Sequence, residues 1–366
     1  MGTETKVYRA ALVGCSRMGA FIDNEVEGRA YPVLPYSHAA GYEACPRTAL
    51  VAGADLRPEV LEAFGNRYDV PRDHLYTDYH ELIEKERPDI LSIATQPEQR
   101  AEVILFAAEH GVRAIYAEKA LCASMEEARR IVDVTERNGI ALNMGTNRRW
   151  APGVDTMREI IASGELGALK TIILYSNGTL FNTSSHWFDM AFRLNGDVPA
   201  SWAQAYLPKG DELIEGETLL DDPLAQGTIA YENGVVCHAL LSPRNNDIQA
   251  ICERGYITAR GGGVTYELHR KGDQERRRGF VEEPFPSYEE ASATLRLIED
   301  LVHSLDTGQP PRGGARIAYA NTELIFAFVE SHRRGGARVA LPLEAPPISL
   351  NRQSFHARQP KYEGSR

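Results

Sequence analysis

Six residues near the amino terminus, Gly14-Cys15-Ser16-Arg17-Met18-Gly19, follow the apolar run YRAALV and carry the spacing of a phosphate-cradling turn. In the pattern G-x-G-x-x-G the first glycine permits a tight turn out of a strand. The second lets backbone approach a pyrophosphate, and the third lets a helix pack closely on the sheet. Gly14 and Gly19 supply the first and third, and Ser16 stands at the second. A serine hydroxyl can itself donate to a phosphate oxygen, and the amides of a following helix start point the same way. Asp55 closes the apolar run ALVAGAD, where a carboxylate accepts from the hydroxyls of an adenosine ribose. That chemistry favours NAD over NADP, although nearby Arg57 softens the preference and leaves NADP open. The interval from Gly14 to Asp55 is about twice the ~20 residues usual for this arrangement. The surplus falls between Phe21 and Ser37, in DNEVEGRAYPVLPY, which has the composition of an inserted loop. By itself the turn also fits a strand-to-helix connection with no ligand.

The elements needed to position these residues are legible as a repeating pattern. YRAALVG, ALVAGAD, ILSIAT, AIYAEK and IALNMG are short apolar runs. Amphipathic stretches separate them: PEVLEAFGNRY, YHELIEKE, QRAEVILFAAEHG and MEEARRIVDVTERNG. Such alternation predicts a doubly wound parallel sheet with helices on both faces over residues 1–146, a Rossmann-type domain. Ligands of that fold bind at the carboxyl ends of the strands, where Gly14, Asp55, Thr95 and Lys119 fall. Residues 147–344 change character. Strand-like runs cluster (LKTIILYS, SWAQAYLP, AQGTIAYENGVVCHALLS, QAICERGYITARGG), with helices in VDTMREIIASG, TLRLIEDLVHSLDTG and ARIAYANTELIFAFVESHRRGG. The expected second domain is α+β on a mostly antiparallel sheet, with a hairpin at Asn233-Gly234. Residues 345–366 read as a tail without a core of its own.

Composition narrows the function. The 366 residues are 43% hydrophobic and 25% charged, as in an ordinary globular protein. A net charge of −11 argues against a nucleic-acid or anionic-membrane partner. The basic run over residues 270–278 reads as a solvated hairpin or loop. Five cysteines without a C-x-x-C pair suggest a reducing compartment, and no secretion signal or long apolar run is apparent, so a cytoplasmic location is expected. Without such a signal the two Asn-x-Ser/Thr matches at Asn177 and Asn182 are read as chance.

The stretch AIYAEKAL, with the glycine turn, SHAAGYEACPRTALVAGADLRPE, SIATQPEQ, TNRRWAP, IIASGELGALK, NTSSHWFDMAF and VESHRRGGARVALPL, resembles the glucose–fructose oxidoreductase, inositol dehydrogenase and MocA family. The resemblance covers nearly all of residues 7–343. It implies a nicotinamide-dependent oxidoreductase moving a hydride to or from a carbinol carbon of a sugar, cyclitol or related polyol. It further implies cofactor contacts at Gly14, Ser16, Arg17, Met18, Gly19, Asp55, Thr95, Gln96, Pro97, Glu118 and Lys119. Lys119 matches the family's Glu-Lys-Pro lysine and His186 its catalytic histidine. The chemistry suits them: a base must take the hydroxyl proton, and a cation lowers the cost of the developing oxyanion. Arg149 and Trp150, with Lys119 and His186, are candidate substrate contacts. A homo-oligomer, dimer or tetramer, through the carboxyl-terminal sheet is expected.

Three departures from the family stand out. Asn182 replaces an aspartate four residues before His186, and an amide orients an imidazole without stabilising its charged form. Ala120 replaces the proline, and Arg100 stands where a histidine is usual, offering a positive fork to a substrate or cofactor oxygen. Asn147, Arg148, Trp187, Tyr31, Tyr36 and His38 are weaker candidates for ligand contact. His186 and Asp189 share the i, i+3 spacing of a metal pair but lack an evident third ligand, so no metal is expected. Two other functions use the same residues: an NAD-retaining hydrolase or lyase that oxidises its sugar transiently, and a non-catalytic nucleotide sensor.

Overall fold

Apolar runs too short for helices and bounded by glycine become strands, and the amphipathic stretches between them become helices. The computed structural model describes residues 6–244, 246–272, 279–344, 346–352 and 359–363. The chain divides into two compact units. The first comprises the described residues of Met1–Asn147, Ala291–Tyr319 and Ser354–Arg366; the second, those of Arg148–Glu290 and Ala320–Gln353.

The first unit holds a six-stranded sheet of β1 (Tyr8–Val13), β2 (Thr48–Ala54), β3 (Leu75–Tyr76), β4 (Ile90–Ile93), β5 (Ala114–Ala117) and β6 (Ala141–Met144). All pairings are parallel, in the order β3-β2-β1-β4-β5-β6. Strands β4 and β5 are buried along their whole length, as strands covered by helices on both faces must be. The chain winds one way from β1 to β3 and the other from β4 to β6, so a crevice opens beyond the ends of β1 and β4. Pro58 and Pro97 open helices Pro58–Tyr68 and Pro97–Glu109, where a missing amide hydrogen costs nothing.

The long interval before β2 has a physical explanation. After a π-turn at Arg17–Phe21 and one helical turn at Asp23–Val26, the chain makes a loop rather than continuing a helix. The Asp23 carboxylate closes it by accepting from the amides of Tyr36 and Ser37, both at 2.8 Å. Ser37 then caps helix His38–Ala44.

Helix Ala293–Thr307 lies in the first unit, although its sequence position falls among the residues expected to form the second domain. Asn143 on β6 fastens it, donating to Asp300 Oδ2 at 3.0 Å while accepting from the Gly313 amide at 3.1 Å.

The second unit is built on nine strands: β7 (Leu169–Ser176), β8 (Ala200–Tyr206), then, after two short strands, β11 (Gln226–Tyr231), β12 (Val236–Leu241), β13 (Asp247–Cys252), β14 (Gly255–Arg260), β15 (Thr265–Lys271), β16 (Phe280–Glu283) and β17 (Val339–Ala340). Only β7 and β12 pair in parallel; every other pairing in this sheet is antiparallel. The Asn233-Gly234 turn joins β11 to β12 as expected, with Gly234 at φ +83°. Helix Ser185–Leu194 is almost wholly buried, and its Phe188 ring lies 5.0 Å from that of Phe328.

The tail is less independent than its composition suggests. Ser349–Leu350 form β18, parallel to β10 (Thr218–Leu219), which pairs in turn with β9 (Ile214–Glu215). Ala345, residues 353–358 and residues 364–366 lie outside the described residues. Of the basic run at 270–278, Arg270 ends in an ion pair with Glu283 across the β15–β16 hairpin, and residues 273–278 lie outside the described residues. Among the described residues, no helix is long and apolar enough to cross a membrane.

The glycine turn yields the first prediction. A Cβ on Gly19 would overlap the Gly14 carbonyl oxygen, which is backbone and cannot move aside cheaply. Gly19→Ala should lower the melting temperature, at the ~1–3 kcal/mol typical of overpacking, and abolish dinucleotide binding. Titration calorimetry that finds parental NAD affinity in this variant would contradict the close approach.

Candidate active site

In the first unit, backbone hydrogen bonds align the strand ends one beside the next. The Gly14 amide donates to the Ala54 carbonyl at 2.8 Å, Ala94 to Val13 at 2.8 Å, Glu118 to Ile93 at 2.9 Å and Gly145 to Ala117 at 2.7 Å. Gly14 adopts φ +90°, and a Cβ there would sit 2.9 Å from the Ala94 carbonyl carbon. Gly14 and Thr95 are thus brought together, as are Glu118 and Lys119 at the end of β5. Gln96 caps helix Pro97–Glu109 with Pro97 as its first residue.

Asp55 and Arg57 form one unit beyond β2. The Arg57 amide and Nε both donate to Asp55 Oδ1 at 3.1 Å, and the Asp55 side chain is 6% exposed. Arg17 within the turn is paired with Glu25, at 2.6 and 2.8 Å from its carboxylate oxygens. The ion pair holds Arg17 against the short helix behind the turn.

Glu118 is the centre of a buried network that the sequence did not announce. His38, 0% exposed, reaches Ser92 Oγ from Nδ1 at 2.7 Å and Glu118 Oε1 from Nε2 at 3.1 Å, and its ring stacks on Tyr116. Burial pushes the Glu118 carboxyl up, but the His38 hydrogen bond and charge, with Lys119 and Arg100, outweigh it and hold it below the usual range. His38 is therefore a fastener of the Glu118 carboxylate, not the ligand contact weighed from sequence. Its position one residue after a helix-capping serine was the available signal.

Arg100 differs from expectation in the same way. It is 2% exposed, and its guanidinium donates to the carbonyls of Thr95 and Ala120, bridging the loops after β4 and β5. It positions those loops instead of offering a fork to a ligand.

In the second unit, a π-turn at Leu180–Ser184 leads into the helix carrying His186. Asp222 builds this turn: its carboxylate accepts from Thr179 Oγ1 at 2.6 Å and from the amides of Phe181 and Asn182 at 2.7 and 2.9 Å. Burial keeps Asp222 above the ordinary carboxylate range despite these three donors. Asn182 is exposed and His186 is 9% exposed.

Arg149 and Trp150 depart from the substrate contacts expected of them. Both are 0% exposed. The Arg149 guanidinium is held by Asp189, 1% exposed, at 2.9 Å and by Asp197 at 2.8 Å, a buried triad that leaves the charge no surface to offer. The same pairing holds Asp189, and no cluster of three metal-ligating side chains occurs among the described residues. Trp187, 1% exposed, packs under the Arg148 guanidinium at 4.9 Å and belongs to the core.

Residues 31–146 match an oxidoreductase family described as having an NAD-binding Rossmann fold, Gfo/Idh/MocA. The chain is 28% identical over 348 residues to the D-apiose dehydrogenase of Paraburkholderia graminis, covering 91% of this chain and 83% of that one. The chain is thus similar to the Gfo/Idh/MocA oxidoreductases.

Further relatives are similar over shorter stretches or in fold. The inositol 2-dehydrogenase of Salmonella typhimurium is 27% identical over 187 residues, 48% of this chain and about half (54%) of that one. Among solved structures, a levoglucosan dehydrogenase in complex with NADH and levoglucosan superposes with a TM-score of 0.73 at 20% identity, covering 92% of this chain and 100% of that one. An inositol dehydrogenase homologue from Azotobacter vinelandii, complexed with NADH and myo-inositol, gives 0.72 at 17% identity, covering 92% and 98%. These two likenesses show the fold.

The matched family is described as NAD-binding, and the first unit fits that cofactor. The Thr95 hydroxyl at the end of β4 is buried with no hydrogen-bond partner among the described residues, an acceptor or donor ready for a ligand. The turn at residues 14–19 packs so closely that a Cβ on Gly19 would collide with the Gly14 carbonyl. The oxidoreductase turn thus keeps the close approach of its backbone even with Ser16 in place of the middle glycine.

The Glu118 network makes a pH-dependent contribution. A carboxyl whose folded pKa is depressed stabilises the fold above its unfolded value, ~4.3, and that gain is lost as pH falls through the lower folded value. Glu118→Gln should therefore be less stable than the parent at pH 7, by about 1.5–3 kcal/mol for a charged hydrogen bond. The gap should narrow as the pH is brought toward ~3. Urea unfolding at a series of pH values measures this, and a gap independent of pH would contradict it.

Proposed function

We propose that the protein is an NAD-dependent dehydrogenase that moves a hydride between the nicotinamide and a carbinol carbon of a sugar, cyclitol or related polyol. The observation that carries this reading is the placement of Glu118-Lys119 at the end of β5, in the crevice that Gly14 and Thr95 also border. The relatives support the substrate class: their names specify apiose, inositol and levoglucosan, all polyhydroxylated sugars or cyclitols with at least one secondary carbinol. No observation favours redox-assisted bond cleavage or nucleotide sensing.

NAD supplies the hydride acceptor when bound. The turn at residues 14–19, with Ser16, Arg17 and Met18, would receive the pyrophosphate on backbone amides. Asp55 would accept from the adenosine ribose hydroxyls, and Arg57, already hydrogen-bonded to Asp55, is placed to soften the discrimination against a 2′-phosphate. Thr95, Gln96, Pro97 and Glu118 would line the nicotinamide end. Lys119, its ammonium close enough to lower the Glu118 carboxyl, would stabilise the substrate oxyanion. His186 would exchange the hydroxyl proton, with Asn182 orienting it and Asp222 holding the turn that carries Asn182. Lys119 lies in the first unit and His186 in the second.

Five buried cysteine thiols support a reducing, cytoplasmic setting. Exposed Tyr206 on β8 and Leu240 on β12 support self-association through the second unit's sheet, as a dimer or tetramer.

Lys119→Ala and His186→Ala should each keep NAD affinity within a few-fold of the parent and lose turnover by about 10²–10⁴. Steady-state rates at 340 nm on a polyol panel, paired with calorimetric NAD titrations, check both halves. Full turnover in either variant would remove that residue from the catalytic set.

A further inference from the structure

Residues 359–363 lie against the nucleotide turn of the first unit. Asn24, 7% exposed, donates from Nδ2 to the Lys361 carbonyl at 2.7 Å. Pro360 beside it is buried. The Tyr362 ring meets the Phe21 ring edge-on, with centroids 5.0 Å apart at 82°. Phe21 is the last residue of the π-turn that begins at Arg17, and the Arg67 guanidinium lies 5.9 Å from its centroid. The turn, its aromatic end and the carboxyl-terminal segment are thus one packed cluster.

Tyr362 is also within electrostatic reach of Arg57, Glu59 and Asp55. Burial raises the phenol above its ordinary pKa, the charges of Glu59 and Asp55 raise it further, and Arg57 opposes them. A side chain so placed has no need of exposure for its own packing, yet 38% of Tyr362 remains exposed. An aromatic ring fixed by backbone on one side and by a second ring on the other is pre-organised, so little entropy is lost when a flat ligand packs on it.

We propose that Tyr362 is an adenosine-binding residue, its ring forming the outer wall of the subsite in which the adenine and ribose of NAD lie. This rests on the reading that Asp55 takes the adenosine ribose. Packing of a base on an aromatic ring needs the ring face and not the hydroxyl, so phenylalanine should serve in its place. The residue takes no part in hydride transfer. Its contribution is to cofactor affinity at the end of the dinucleotide remote from the chemistry.

The test uses the full-length protein and three probes: NAD, ADP-ribose, and nicotinamide mononucleotide, which lacks the adenosine. Tyr362→Ala should weaken NAD and ADP-ribose about 5- to 50-fold, leave the mononucleotide unchanged, and Tyr362→Phe should bind all three as the parent does. In the parent, ADP-ribose but not the mononucleotide should slow nitration of Tyr362 by tetranitromethane, read by peptide mass spectrometry. Unchanged or tighter NAD binding by Tyr362→Ala would overturn the proposal, as would equal weakening of all three probes or nitration indifferent to ADP-ribose. If the parent oxidises polyols while Tyr362→Ala binds NAD normally, this inference fails and the dehydrogenase reading stands. If the parent binds neither NAD nor ADP-ribose, both fail.

Discussion

The approach of Gly19 to the Gly14 carbonyl is the contact on which the rest of the first unit depends. It makes β1 end abruptly and reverses the chain through a single π-turn. The turn follows β1, beside the point where strand order reverses. Gly14 can lie against Ala94 only because neither glycine carries a side chain, and this contact sets β1 and β4 ends level. The serine between them is tolerable for the same reason. The steric demand falls on residues 14 and 19.

Once the strand ends are level, side chains fasten them. His38 ties Ser92 on β4 to Glu118 just beyond β5, and Arg100 ties the carbonyls that follow both strands. These are buried, charge-assisted bonds, stronger than neutral ones and costly to leave half made. Their effect is positional. Lys119 emerges from a segment held on both sides, at Glu118 and at the Ala120 carbonyl. In the second unit Arg149 bridges Asp189, on the helix that carries His186, and Asp197 beyond that helix's end.

Much of this was legible in the sequence. Glycine positions in a turn are set by sterics, and short apolar runs bounded by glycine report buried parallel strands, so residues 14–19, Asp55 and the five strand ends could be read directly. Charged residues were harder to place. Arg149 looks like a ligand contact because nothing local to it shows that Asp189 and Asp197, 40 and 48 residues on, will pair with it. Arg100 spends its donors on backbone carbonyls, which have no sequence signature. The amphipathic pattern of Ala293–Thr307 declares a helix without saying which sheet it covers, and Asn143 decides it. Two-residue β18 is too short to show a period at all.

The central claim is that the crevice at these strand ends serves hydride transfer with net reduction of NAD. The most direct measurement follows the hydrogen itself. A polyol substrate deuterated at its carbinol carbons is incubated with enzyme and NAD, and the cofactor and product are analysed by mass spectrometry. Hydride transfer predicts one deuterium in the reduced nicotinamide for each molecule of ketone formed. Substrate cleaved with its deuterium retained, and no reduced cofactor in solution, would contradict the claim.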